Sequence, residues 1–258
     1  MPDQAHSLAV FIDFENLALG IAPRRGGARA KKTDIVDMKR VLERLVEKGK
    51  VVSKRAYADW ARFSEYTTPL HELGIDLMEI PERGITGKNS ADIRLVVDAM
   101  ELSYAKEHID SFVIVSGDSD FTPLVLRLKE NGKTVVGVGM KDSTSDLLAQ
   151  NCDEFIYYED IGGGSAGAPV LSDKVPRAKK KAYTLLFDTI EALQRENVGN
   201  MHSSLVKDTM KRKQPQFSES SYGYRSFSQL LEDAQHLGFI SLRKDDRSGT
   251  YVVEGFSG

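Results

Sequence analysis

Three short stretches gather carboxylates in a pattern that chemistry can use: Asp13-Phe-Glu15-Asn16, Asn89-Ser-Ala-Asp92 and Ser116-Gly-Asp118-Ser-Asp120. Bare acids repel an anionic substrate such as a phosphodiester, whereas acids loaded with a divalent cation attract it. Several hard oxygen donors on one rim suit Mg2+ or Mn2+. Such an ion can activate water and neutralise charge developing on a phosphoryl oxygen. Each acid also has a plainer use. Asp13 can cap a loop, Asp92 can serve a helix dipole, and Asp120 can be an ordinary N-cap. Glu15 reads as a solvated surface acid, and Asp59 as a structural or supporting one. Asp98 lies six residues past Asp92, off that helical face, and reads as a fold residue.

The elements that must position these acids alternate. Leu8–Phe14 is a short apolar run ending in acid, a buried strand. Asp34–Lys48 carries apolar residues at helical spacing. Val51–Ala58 reads as a strand, Phe63–Leu73 as a helix, and Ile75–Ile80 as a strand that Pro81 stops. Ser90–Lys106 is the strongest helix, with Ser90 as its expected cap. Strands follow at Phe112–Val115, Thr134–Val138 and Glu154–Tyr158, with helices at Phe121–Glu130 and Thr144–Gln150 between them. The alternation predicts an α/β fold, a parallel sheet covered by helices on both faces. In such a sheet, ligand sites form beyond the carboxyl ends of strands. Asp13 and Asp118 occupy two such ends, and Asp92 in a first helical turn can point to the same rim.

The tract 161–169, rich in glycine, has no means to form a core and marks a boundary. The expected organisation is a domain over 1–160, a flexible linker over 161–174 and a second domain over 175–258. In the second, helices at Arg177–Arg195, Ser203–Lys213 and Ser226–His236 precede a hairpin of Phe239–Leu242 and Thr250–Val253, the pattern of a small winged-helix module.

The net charge of −3 hides an asymmetry. Residues 1–160 hold 21 Lys+Arg against 27 Asp+Glu, and residues 161–258 hold 14 against 11. Within 24–55 the balance is 12 basic to 4 acidic, so a basic segment sits inside an acidic half. That fits metal ions plus a polyanion, or ordinary solvated charge. Arg24, Arg25, Lys31 and Lys32 form a basic, glycine-bearing loop that reads equally as a solvated loop or as one able to grip nucleic-acid phosphates without reading sequence. Tyr222, Tyr224 and Phe227 near Arg225, and Trp60 with Phe63, read as packing residues ahead of base-stacking ones. Cys152 is the only cysteine, so neither an internal disulfide nor a cysteine zinc cluster is available. No apolar run nears the roughly 20 residues that span a bilayer, and no secretory pattern opens the chain. The expected setting is cytoplasmic.

The motifs Phe11-Ile-Asp-Phe-Glu-Asn16, Lys88-Asn-Ser-Ala-Asp-Ile-Arg-Leu-Val-Val-Asp98 and Val115-Ser-Gly-Asp-Ser-Asp-Phe-Thr-Pro-Leu124 together resemble the NYN family, a branch of the PIN-like nucleases. The likeness covers roughly residues 7–160. It implies a PIN-like fold and a divalent-metal-dependent ribonuclease using Mg2+ or Mn2+. It gives metal-binding and catalytic roles to Asp13, Asp92, Asp118 and Asp120, and makes Asn16 a polar partner. It places Ser116, Ser119 and Lys88 toward RNA. The segment from about Lys174 to Val253 is similar to the LOTUS or OST-HTH domain, which implies binding of RNA or docking to a protein partner.

Two rival functions remain at this level. A haloacid-dehalogenase-like phosphatase also has an aspartate after its first strand, but that pattern needs Asp-x-Asp where this chain has Asp13-Phe-Glu15. A non-catalytic RNA-binding adaptor would keep the fold without the cleavage. Dinucleotide and P-loop readings fail, because Gly137-Val-Gly139 lacks its third glycine and Gly84–Lys88 has the wrong spacing.

Overall fold

A computed structural model describes residues 6–21, 37–80, 89–161, 169, 171, 175–196, 198–245 and 248–257. The chain forms two compact units, essentially residues 1–163 and 164–258. Most of the expected linker 161–174 lies outside the described residues.

In the first unit the order is β1 (His6–Asp13), α1 (Phe14–Ile21), α2 (Met38–Lys48), β2 (Gly49–Ala58), α3 (Ser64–Glu72), β3 (Asp76–Glu79), α4 (Ser90–Ala105), β4 (Ser111–Val115), α5 (Thr122–Glu130), β5 (Thr134–Gly139), α6 (Asp146–Asn151) and β6 (Glu154–Tyr157). The six strands form one parallel sheet in the order β3-β2-β1-β4-β5-β6. This is the expected α/β fold with helices on both faces. The chain winds outward from β1 to β3, then crosses back through α4 to lay β4 on the other side of β1. The order therefore reverses between β1 and β4, and a crevice opens at their carboxyl ends.

Strand residues alternate between two apolar layers, as the pleat requires. Leu8, Val10, Ile12, Val113 and Val115 face Met38, Val41, Leu42 and Leu45 of α2 and Phe14 and Leu17 of α1. Ala9, Phe11, Phe112 and Ile114 face Leu95 and Ala99 of α4 and Leu124, Val125 and Leu128 of α5. β1 and β4 are covered on both faces, which is why they read as continuous apolar runs.

Three local features differ from the sequence reading. The chain turns helical at Phe14 instead of continuing as strand, and α1 was not expected. Asp13 makes this turn, because its Oδ1 accepts the Asn16 N–H at 3.2 Å. The cap residue of α4 is Asn89, with Ser90 already helical. Asp37 caps α2 by accepting the Arg40 N–H, while 34–36 lie outside the described residues.

Asp98 is buried on α4 and receives the Tyr57 hydroxyl at 2.9 Å and Arg94 Nε at 2.8 Å, with Arg55 at 3.5 Å. Burial, then the bond to Asp98, pushes the Tyr57 hydroxyl well above the usual tyrosine range. This network ties α4 to β2.

The second unit runs α7 (Arg177–Arg195), β7 (Met201–His202), α8 (Ser203–Lys213), α9 (Phe227–His236), β8 (Ile240–Lys244) and β9 (Tyr251–Phe256). Its antiparallel sheet has the order β7-β9-β8. Three helices and a hairpin joined by a two-residue strand make a winged-helix arrangement. The sequence reading missed β7, since two residues carry no periodicity. Tyr183, Leu186, Ile190, Val206, Met210, Leu230 and Leu231 fill its core. Asp233 Oδ2 accepts the hydroxyls of Tyr224 at 2.6 Å and Tyr183 at 2.7 Å, and pairs with Lys179 at 2.9 Å. Burial alone would raise the Asp233 pKa, but bonds from Tyr224, Lys179 and Tyr183 outweigh it and hold the carboxyl at about 2. Tyr224 and Lys179 thus serve packing and pairing inside the unit. Among the described residues no helix is long and apolar enough to cross a membrane.

Two outcomes follow for stability. Asp98→Ala leaves Arg55 and the Tyr57 hydroxyl without their acceptor, and a chemical-denaturation curve should show a loss of about 3 kcal/mol. For Asp233 the folded pKa is depressed from 3.8 to about 2, so its stabilisation is complete above the unfolded value and disappears as pH falls from about 4 to 2. The wild-type melting temperature should therefore drop more steeply over that window than that of Asp233→Asn, measured by circular dichroism.

Candidate functional site

The first candidate residue is the last of β1. Asp13 is only 6% exposed, an unusual place for a carboxylate. Its neighbour Phe14 anchors it from below, packed among Trp60, Phe63 and Tyr66 at centroid distances of 5.3, 5.4 and 5.0 Å. Trp60 is fixed in turn by its indole N–H donating to the Met78 carbonyl at 3.1 Å. The aromatic residues after β2 therefore pack, and they hold the acidic motif in register.

Across the crevice, the turn after β4 carries the second set. Ser116 is buried and donates its hydroxyl to Asp13 Oδ2 at 2.9 Å, while its Oγ accepts the Asp118 N–H at 3.2 Å. Asn16 Oδ1 accepts the Gly117 N–H at 3.0 Å. These bonds lock the β1–α1 junction to the β4–α5 turn. Asp118 Oδ1 accepts the Asp120 N–H at 2.9 Å and so caps the short 3-10 turn Ser119–Phe121. Asp120 is exposed within that turn and is not the cap of α5, whose cap is Phe121.

Gly117 is needed for a close approach. A Cβ there would lie 2.7 Å from the Ser143 carbonyl oxygen and 2.9 Å from the Thr144 Cα, both backbone atoms. The loop after β5 rests on Gly117, and the Ser145 N–H donates to the Gly117 carbonyl at 2.9 Å.

Electrostatics brings in the remaining acids. Burial raises the Asp13 pKa to about 7. The Asn16 N–H and Ser116 bonds pull it down, and the charges of Asp92 and Asp118 push it up. Burial also raises Asp92, and Asp118, Asp120 and Glu15 raise it further. Asp92 and Asp118 thus lie near enough to act on Asp13, and Asp118 and Asp120 near enough to act on Asp92. Glu15, read from the sequence as a solvated acid, belongs to the same field. It is fixed by the Asp59 N–H at 3.1 Å and Arg62 at 3.3 Å. Its adjacency to Asp13 was the available signal. Asp59 contributes its backbone here, and its side chain accepts the Ala61 N–H at 3.1 Å.

Among the described residues, no three His, Cys, Asp or Glu side chains stand close enough to form a metal cage. The donors still fit a hard divalent cation in kind, being all carboxylate oxygens. Asp120 is exposed and Asp92 is half-buried, which leaves their side chains room to turn, while Asp118 keeps Oδ2 outside its capping bond. Ser119 lies beside Asp120 on the same rim, half-buried. The sequence-predicted basic contacts Arg24, Arg25, Lys31, Lys32 and Lys88 lie outside the described residues.

With this geometry in place, comparison with known proteins is informative. The chain is 28% identical over 155 residues to the uncharacterized protein MJ0482 of Methanocaldococcus jannaschii, covering 58% of this chain and 54% of that one. It therefore spans about half the length of that relative. Its fold is similar to a protein of unknown function, VPA0982, from Vibrio parahaemolyticus RIMD 2210633. That match has a TM-score of 0.51 at 24% identity, covering 62% of this chain and 97% of that one. The family model for the NYN domain matches residues 7–159, more than half of the chain and the whole of the acidic rim. The chain belongs to the NYN domain family, whose members are in general nuclease-like.

Proposed function

We propose that the first unit is a divalent-metal-dependent ribonuclease that hydrolyses RNA phosphodiester bonds at the β1–β4 crevice, with Mg2+ or Mn2+ held by Asp13, Asp92, Asp118 and Asp120. The observation that carries this reading is Asp13. It is shut off from water, raised to about 7, and set among other acids whose charges push the same way. A cluster of this kind is unfavourable alone and becomes favourable around a cation. When bound, the ion supplies Lewis-acid charge against a phosphodiester oxygen.

The chain's own residues do the rest. Ser116 and the Asn16 N–H fix both oxygens of Asp13, and its remaining lone pairs are what it would offer a cation. Asp118 is oriented through the Ser116 hydroxyl and the Asp120 N–H. Asn16 holds the two motif-bearing turns at a fixed separation through Gly117. Asp92 enters from the first turn of α4, where the helix dipole favours its charged form against the repulsion of its neighbours. Ser119, next to Asp120, would meet a phosphate. From the sequence, Arg24, Arg25, Lys31, Lys32 and Lys88 are the basic residues proposed to supply the countercharge that a polyanion needs. The winged-helix unit is an accessory module that binds RNA or a protein partner, a role supported by its arrangement and its basic excess.

Three outcomes test the reading. End-labelled single-stranded RNA incubated with the purified chain should be cut with Mn2+ or Mg2+ and left intact with EDTA. The Asp13→Asn plus Asp118→Asn protein should lose the activity by about a hundredfold or more. Equal cleavage by both proteins would place the chemistry elsewhere, and RNA binding without any cleavage would favour an adaptor. Ser116→Ala removes a donor to Asp13 and should lower the cleavage rate by about 10- to 100-fold, together with the melting temperature, because a buried carboxylate loses a hydrogen bond. Gly117→Ala forces the β5–α6 loop away from the turn, so it should lower both cleavage and melting temperature. An unchanged rate would show that the loop plays no part in placing Asp118.

A further inference from the structure

Next to the acids, α4 and the start of α5 enclose a groove of about 700 Å3, within the size range of sites for small molecules. One end is polar and belongs to the candidate site, since Asp92 and Asp120 line it with Asn89 and Ser119. The other end is aliphatic. Ile93 and Val97 of α4, Leu126 of α5 and Leu147 of α6 line it, and they are 63%, 54%, 46% and 56% exposed. Solvent exposure of four large aliphatic side chains along one groove is a cost that folding does not require, and such patches mark binding surfaces.

The charge pattern narrows the occupant. Among the described residues no lysine or arginine lines the groove, so those residues offer no track for a phosphate along it. A flat protein partner or a second copy would bury Asp92 and Asp120 without a countercharge, which is expensive. A nucleotide divides in the required way, with its phosphate toward the metal-loaded acids and its neutral, flat base one step along.

We propose that this groove receives one unpaired nucleobase adjacent to the scissile phosphate, held by Ile93, Val97, Leu126 and Leu147 and bordered by Asn89 and Ser119. The inference rests on the ribonuclease reading above and adds a base subsite to it. Because the base must leave its stack to enter, the substrate at this point is single-stranded or splayed open.

The test uses the full chain and a fluorescein-labelled single-stranded RNA 12-mer, with binding followed by anisotropy and cleavage on a gel. Val97→Ser plus Leu126→Ser changes two exposed positions, and Tyr104→Ser on α4, outside the groove lining and 65% exposed, is the control. The double variant should bind about tenfold more weakly, in line with the loss of one base contact, while the control binds as wild type. A series of 12-mers with a single abasic nucleotide at successive positions should contain one whose abasic form weakens wild-type binding to the same extent. That oligomer should bind the double variant no worse than the intact one does. Unchanged binding by the double variant overturns the subsite, as does an equal loss of affinity by the variant for every abasic oligomer. Failure of the wild type to bind RNA overturns it too. A wild-type dimer in light scattering that Val97→Ser plus Leu126→Ser dissociates would replace the base with a second copy. Groove-dependent binding without metal-dependent cleavage would leave the subsite standing and remove the nuclease. Cleavage that Asp118→Asn abolishes but the groove variant leaves unchanged would do the reverse.

Discussion

A carboxylate nearly closed off from water at the end of a central strand is costly, and much of the first unit answers to that cost. Each oxygen of Asp13 has one donor. The Ser116 hydroxyl and the Asn16 N–H occupy its two oxygens, and both are presented by turns that begin where strands end. Those same bonds make Asp13 a structural cross-link. Through Asn16 and Gly117 they fasten the first acidic motif to the third, so placing the site and closing the crevice are one event. The residual repulsion from Asp92 and Asp118 is what a cation would relieve.

The sheet makes this possible because its order reverses at β1 and β4. Strands covered on both faces supply the apolar rigidity, and the switch point supplies the gap. Phe14, one residue past Asp13, is fully buried in an aromatic cluster, so the polar site and the core share an adjacent pair of residues. α4 performs two functions from two faces. Asp98 points into the fold and ties the helix to Tyr57 and Arg55, while Asp92 and Ile93 face the rim and the groove. The six-residue spacing between the two acids separates these roles.

The winged-helix unit solves a similar problem with the opposite sign. Its half-buried Asp233 is kept charged by two tyrosine hydroxyls and a lysine, and its pKa falls instead of rising. Donors without neighbouring acids stabilise a carboxylate, and donors mixed with neighbouring acids leave it raised. The two environments are therefore distinguishable by chemistry, one serving packing and the other available to a ligand.

The alternation of apolar runs and helical periods was enough to determine a parallel α/β sheet, because strands buried on both faces must be apolar along their length. It also determined that acids follow the first and fourth strands, and the motifs carried the NYN likeness. What sequence periodicity could not decide was contact. Nothing in the spacing of residues 13 to 16 announced α1, since the turn depends on one side-chain oxygen reaching one N–H. Glu15 looked solvated until the end of β2 brought the Asp59 N–H and Arg62 to it. Tyr224 read as a packing residue, but its partner was not visible until α9 brought Asp233 to its hydroxyl. The aliphatic groove exists only where α4, α5 and α6 converge. Composition and period report what each residue prefers, and they are local. Which acid meets which donor is set by loop closure between residues as far apart as 13 and 116, and only the tertiary structure decides that.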